Sequence, residues 1–306
     1  MQYYGTLKEI AIKLATKQKK EVDLITEEAP LLDIIKWMAS THGLWNLAEE
    51  ITNIIGASFV DMNAPLPVVG STSELKKMDL QIMGGKMEVA QDTAIRFGGP
   101  AAYFAKHLDW VRKQTGMDTE KHIYYNTWLR YAIEHGLVTD AGGTNNTNFS
   151  MLFIRFEEGV NCGLYDAEGI AGKEILKVFP MYGGNLYEPV NGRYAGVPCY
   201  GQILKAYLGY QILDPRTIHA IVNIDPDHIP SAAMIDDAIA EIRGTQANTH
   251  IIMHVKARNL LNKYKEDRLN IPVGEKNYSR SIMDWDGIRI ETSYNLLAGT
   301  ETNVTV

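Results

Sequence analysis

An α+β fold with segments that reach beyond its own core is what this sequence predicts. Three observations carry that reading. Helical and period-two patterns fall in separate blocks rather than in strict alternation. A helical stretch of some 35 residues follows Pro100, roughly 50 Å long if straight. Twelve of the 26 glycines lie between residues 142 and 209, separating short β-type runs.

Residues 5–55 read as helical. Leu7, Ile10, Ala11 and Leu14 share one face behind a Thr6 cap. Pro30 can open a second helix, in which Leu31, Ile34, Ile35 and Met38 continue the apolar stripe. From Gly56 to Phe97 the character changes. Ala64-Pro65-Leu66-Pro67 excludes helix, Met78, Leu80 and Ile82 alternate with neighbours of the other face, and Gly84-Gly85 punctuates before Met87 and Val89. This predicts a hairpin-like excursion, and because a lone hairpin is marginal in water, its apolar face needs a neighbour.

Pro100 then stands as a first-turn proline, with Phe104, Leu108 and Val111 on one face. Thr115-Gly116 is expected to interrupt or kink this helix, and Ile123, Thr127, Arg130, Tyr131 and Glu134 to continue it. Further strands are expected at Met151–Phe156, Ala220–Ile224, Thr249–Val255 and Ile288–Tyr294. Helices are expected after Pro230-Ser231, with Ile235, Ile239 and Ile242 on one face, and over Lys256–Asp267.

Composition narrows the function classes. Hydrophobic residues at 45% and charged residues at 22% exclude a disordered chain, a collagen and a disulfide miniprotein. A formal charge of −7 argues against broad attraction to nucleic acid or an anionic membrane. No apolar run reaches the roughly 18 residues that span a bilayer, and the N-terminus lacks a signal-peptide core. Cys162 and Cys199 are too few for a disulfide framework or zinc ribbon and read as reduced thiols.

No catalytic, cofactor or metal residue emerges. Asp140-Ala-Gly-Gly-Thr144 lacks the lysine of a phosphate loop. Asn223-Ile-Asp225-Pro-Asp227-His228 carries oxygen and nitrogen ligands but reads more simply as a turn whose carboxylates face the next helix. His250 and His254 are too far apart along a strand to ligate one ion.

The order of parts is the informative datum: helical arm, long β excursion, very long helix, glycine-rich strands, alternating strands and helices, closing strand. This order resembles the Hong Kong 97-type fold of tailed-bacteriophage major capsid proteins, and more narrowly the podovirus-type major capsid family. The resemblance is carried by Leu7-Lys-Glu-Ile10, Gly84-Gly-Lys-Met-Glu88, and Asp140-Ala-Gly-Gly-Thr144 with Asn148 and the strand Leu152–Phe156. It continues through Gly163-Leu-Tyr165, Gly169 and Gly172, Arg216-Thr-Ile218, Ile221-Val-Asn-Ile-Asp225, His250-Ile-Ile-Met-His254 and Asp286-Gly-Ile-Arg-Ile290.

The resemblance implies an N-terminal arm over residues 1–56, an extended loop over 57–85 and a peripheral domain over 86–145 plus 281–306. It implies an axial domain over 146–280. It implies a non-catalytic subunit, without cofactors, that assembles as hexamers and pentamers into an icosahedral shell around double-stranded DNA. Location would be the virion capsid, with assembly in the host cytoplasm. Scaffolding, portal and head-decoration or cement proteins are the implied partners, with DNA contacted without sequence specificity and no membrane. Inter-subunit contact is expected at Leu7, Ile10, Trp37, Leu66, Val68, Lys76, Lys77, Leu80 and Ile82. The alternative on the same fold is an encapsulin-type nanocompartment shell enclosing cargo enzymes.

Overall fold

The computed structural model describes residues 29–62, 64–166, 177–268 and 282–305. The Thr6-capped helix, with Leu7 and Ile10, lies outside the described residues.

Helix α1 (Pro30–Ile34) begins at the proline and lasts little more than a turn, because Ile35 already has extended backbone. Two strands follow, β1 (Trp37–Ala39) and β2 (Trp45–Ile55). The helical reading of 45–55 is therefore corrected. Leu47, Ile51, Ile54 and Ile55 have helical spacing, but the segment is rich in β-branched residues and finds a long antiparallel partner in β3 (Gly70–Asp79). β4 (Gln81–Ala90) runs straight through Gly84-Gly85, which is not a turn. Gly84 lies so close to the neighbouring strand that a Cβ there would sit 2.7 Å from the carbonyl oxygen of Leu204. Close backbone approach, not chain reversal, explains this glycine.

Helix α2 (Gln91–Arg96) leads to the long α3 (Pro100–His122), whose proline stands in the first turn. The expected break at Thr115-Gly116 does not occur. Thr115 Oγ1 donates to the Val111 carbonyl and Thr119 Oγ1 to that of Thr115, so both hydroxyls are absorbed within the helix. The irregularity comes later, as a π-helical segment over Ile123–Leu129 that runs into α4 (Arg130–Glu134). Its buried face is Tyr124, Trp128, Leu129 and Ala132 rather than the expected Ile123–Thr127–Arg130 face.

Two sheets organise the rest. The six-stranded sheet has the order β12-β13-β11-β6-β10-β5, and the five-stranded sheet runs β1-β7-β9-β4 with β8 also on β9. Their strands are β5 (Val138–Asp140), β6 (Phe149–Arg155), β7 (Asn161–Tyr165), β8 (Lys177–Pro180), β9 (Cys199–Ile212) and β10 (Ile218–Ile224). The last three are β11 (Thr249–His254), β12 (Asp284–Trp285) and β13 (Ile288–Ser293).

β6 is buried on both faces, which explains its unbroken apolar run. Leu152 and Ile154 meet Tyr124 and Trp128 of the long helix. Met151 and Phe153 meet α5 (Ala232–Glu241) and α6 (Val255–Arg268) on the other side. The first half of the long helix instead packs on the five-stranded sheet, Phe104 against Val89 and Tyr200, and Leu108 against Leu204 and Ala206. One helix thus staples both sheets. Phe104, Leu108, Arg112, Gly116, Glu120, Tyr124, Trp128 and Ala132 are all buried at spacings of four. Four residues turn an α-helix through about 400°, so this stripe winds around the axis and faces each sheet in turn.

Candidate assembly surface

Among the described residues, the β2–β3 ribbon is the paired segment whose side chains are mostly exposed. It pairs from Trp45↔Asp79 out to Ile55↔Gly70, with one irregularity between Ile51 and Asn53. At about 3.3 Å per residue the eleven residues of β2 extend roughly 35 Å. Only the base is anchored. Asn46 is buried and its side-chain amide donates to Gln211 on β9. Lys76 Nζ lies 3.3 Å from Glu50, and Lys77 Nζ pairs with Asp79 at 2.7 Å while standing over the Trp45 ring.

Beyond the base, apolar side chains face solvent. Ile51, Ile54, Ile55 and Leu75 are exposed on the ribbon, and the connection carries Phe59 with its full surface exposed, Met62 at 94%, Leu66 and Val68. Single exposed apolar residues are ordinary, but a contiguous set at the end of a projecting ribbon marks an interaction surface. Pro65 and Pro67 remove backbone donors from the connection and limit its use as a free sheet edge.

The residues expected at subunit contacts divide into three groups. Leu66, Val68, Lys76, Lys77 and Ile82 are at least partly exposed on or beside the ribbon. Leu80 is buried and Trp37 partly buried within their own subunit. Leu80 is buried against Cys162 and Leu164, because the chain there leaves β3 and enters the five-stranded sheet as β4. Trp37 packs flat on Gly163, where a Cβ would meet its ring at 2.4 Å, and its Nε1–H donates to the Leu32 carbonyl at 3.1 Å. Leu7 and Ile10 lie outside the described residues. Sequence reasoning missed Phe59, Ile54, Ile55 and Leu75. The signal available was the β-branched run at 51–55, hidden by its helical spacing.

Titratable groups elsewhere are explained by structure. Burial pushes the thiols of Cys162 and Cys199 above their ordinary value, which suits packed rather than nucleophilic cysteines. Asp225 Oδ1 accepts from the backbone N–H groups of Asp227 and His228 and pairs with His228 Nδ1 at 2.9 Å, closing the turn after β10. Glu120 lies on the long helix with its carboxylate among Asn295, Ser293 and the backbone of Leu31, and burial raises its pKa to about 6. Glu301 accepts from Tyr125 Oη at 2.7 Å, and burial raises it to about 7. These carboxylates tie the helix to the C-terminal strand region and are not grouped around an open cleft.

No protein-family profile matches the chain, and no curated relative matches it. Among solved structures, a chain of bacteriophage Epsilon15 superposes with a TM-score of 0.61 at 18% identity, covering 89% of this chain and 88% of that one. The SrpI encapsulin of Synechococcus elongatus gives a TM-score of 0.48 at 11% identity over 64% of this chain and 88% of that one. The capsid of bacteriophage JBD30 gives 0.47 at 8% identity, over 86% and 89%. The Epsilon15 likeness covers most of both chains, and this chain has the Hong Kong 97-type fold.

Proposed function

We propose that this chain is the major capsid protein of a tailed bacteriophage, a structural subunit that assembles as hexamers and pentamers into an icosahedral shell around double-stranded DNA. The observation that carries the reading is the ribbon: about 35 Å of paired strand with an apolar end that its own subunit leaves uncovered. A surface of this kind gains stability when another copy covers it. Repeated around a ring it gives heterologous contacts that close, and many modest contacts then sum to a durable assembly.

On this reading the extended loop lies over residues 57–85 and takes in the connection and β3. The peripheral domain takes residues 86–145, with the long helix, and 281–306. The axial domain takes residues 146–280, with α5 and α6, and meets its copies around the symmetry axes. A charge of −7 suits DNA delivered by a motor into a finished shell rather than gathered by the protein. Scaffolding, portal and decoration proteins are the partners such a shell requires.

The test is to replace residues 56–69 by Asn-Gly, which closes β2 onto β3 with a two-residue turn. The core strand β4 stays intact. Electron microscopy is expected to show closed angular particles from the parent chain and only subunits or open capsomers from the variant. Normal shells from the variant would remove the connection at the ribbon's end from assembly. Native particles that held an enzyme cargo and no DNA would point to a nanocompartment shell instead.

A further inference from the structure

The connection between β8 and β9 carries the one Asn-Gly pair in the sequence, Asn191-Gly192. Its base is closed: the Tyr187 N–H donates to the Cys199 carbonyl at 3.0 Å, and the Cys199 N–H to the Tyr187 carbonyl at 2.7 Å. Within the loop, the Gly196 N–H donates to the Pro189 carbonyl at 3.0 Å and the Ala195 N–H to the Gly192 carbonyl at 3.3 Å. These bonds use carbonyl groups around the pair and leave its own donors free. Neither the Asn191 side chain nor the Gly192 N–H has a hydrogen-bond partner among the described residues. Val190, Asn191, Gly192 and Arg193 are all exposed, and Gly192 has φ of 101°.

The amide of an asparagine can be displaced by the backbone nitrogen that follows it. Here the Gly192 nitrogen attacks Asn191 Cγ, an N–Cγ bond forms, and the Cγ–Nδ2 bond breaks. The proton of the attacking nitrogen leaves with the amide as ammonia, and a cyclic imide remains. Water then adds at either imide carbonyl and breaks that carbon's bond to nitrogen. Opening at Cγ gives aspartate. Opening at the backbone carbonyl gives isoaspartate, whose main chain runs through the former side chain. Water is the only other reactant.

Two conditions decide where this happens. The attacking N–H has to be free, because one tied into a ladder or turn must first give up its bond. It also has to be approachable, which the absence of a Cβ on the following residue allows. Asn185, exposed in the same connection, is followed by Leu186. Asn161 and Asn223 are buried, and their amides donate to Thr217 and Asp140. Exposure, a free amide and a following glycine coincide at Asn191. We propose that Asn191-Gly192 is a site of spontaneous modification, converting through a cyclic imide to isoaspartate and aspartate. Each event adds one carboxylate to the exposed loop, so the formal charge of −7 becomes −8. The site belongs to the single chain and stands apart from the shell reading.

Incubation of the full chain at mildly alkaline pH, followed by trypsin and mass spectrometry, tests it. Cleavage after Lys177 and Arg193 releases residues 178–193, which hold both Asn185 and Asn191. The expected change is an amide NH₂ replaced by OH at Asn191, with Asn185 intact as the internal control. An isoaspartyl methyltransferase with labelled methyl donor should mark the same peptide. Because the pair has no bond to break, the folded chain should react within about tenfold of the rate in guanidinium chloride. Asn191→Gln should abolish the signal, and Gly192→Ala should slow it by about tenfold or more. A folded chain slower than the denatured one by about a hundredfold or more would show that the loop guards the pair, and would overturn the site. Reaction at Asn185 as fast as at Asn191 would overturn it too, as would an unchanged rate in Gly192→Ala. The comparison of folded with denatured parent needs no variant and decides alone if a substitution disturbs the loop.

Discussion

Glu301 accepts a hydrogen bond from Tyr125, whose own oxygen accepts from the Leu297 N–H, so one carboxylate fixes the C-terminal segment to the π-helical part of the long helix. Burial raises its pKa to about 7, and that of Glu120 to about 6, from an ordinary 4.5. Between these values the folded chain binds more protons than the unfolded one. Stability from these groups is therefore fully present below about pH 4.5 and lost as pH rises through 6 and 7. For Glu301 the whole effect is on the order of 3 kcal/mol. Glu301→Gln keeps an oxygen for Tyr125 and has no charge to bury. Urea midpoints of the unassembled chain are expected to fall less between pH 5 and 8 in this variant than in the parent, by about that amount. Equal slopes would show that Glu301 ionises in the folded state without cost. Gly163 makes the second prediction at this scale. Gly163→Ala drives a methyl into the Trp37 ring and should cost about 1–3 kcal/mol of the same stability. A neutral result would mean that β1 can leave β7 freely.

The long helix packs on both sheets, so the two are expected to unfold as one body. Leu108→Ala empties its contact with the five-stranded sheet and Trp128→Ala its contact with the six-stranded sheet. The expected losses are about 2–5 and 3–5 kcal/mol. The sites lie five turns apart, so the double variant should add within about 0.5 kcal/mol. A separate early transition in Leu108→Ala, seen by calorimetry, would show that the helix does not couple the sheets. Legibility in the sequence followed burial. β6, β10 and β11 are apolar on both faces, and α5 has a one-sided stripe with a Ser231 cap, so pattern alone located them. The winding stripe from Phe104 to Ala132 was opaque because it changes partner midway and includes Arg112 and Glu120, which look like surface residues. β2 was misread because Leu47, Ile51, Ile54 and Ile55 copy helical spacing, and only the partner strand decides between the two. Gly143, Asn148, Asn223 and Asp225 pack together at the end of β10, and their meeting depends on the order of strands in a sheet and on no local spacing.

At the scale of the whole molecule, the proposed reading predicts that stability and assembly draw on different residues. Phe59 is fully exposed and belongs to none of the buried clusters of its own subunit. Removing it should leave the fold of the unassembled chain unchanged, yet burying such a ring against a neighbour contributes about 2 kcal/mol per contact. Because 1.4 kcal/mol is a factor of ten in an equilibrium constant, Phe59→Ser should raise the concentration at which shells appear by about tenfold or more. Val68→Ser, with a smaller surface, should act in the same direction and less strongly. Light scattering across a concentration series reads the threshold, and thermal unfolding of dilute subunits checks the fold. Thresholds equal to the parent's would show that the ribbon end is not buried between subunits. A lowered melting temperature of the dilute subunit would show instead that the end folds back on its own chain. The expected outcome, an unchanged melt with a displaced threshold, separates an assembly surface from a core residue.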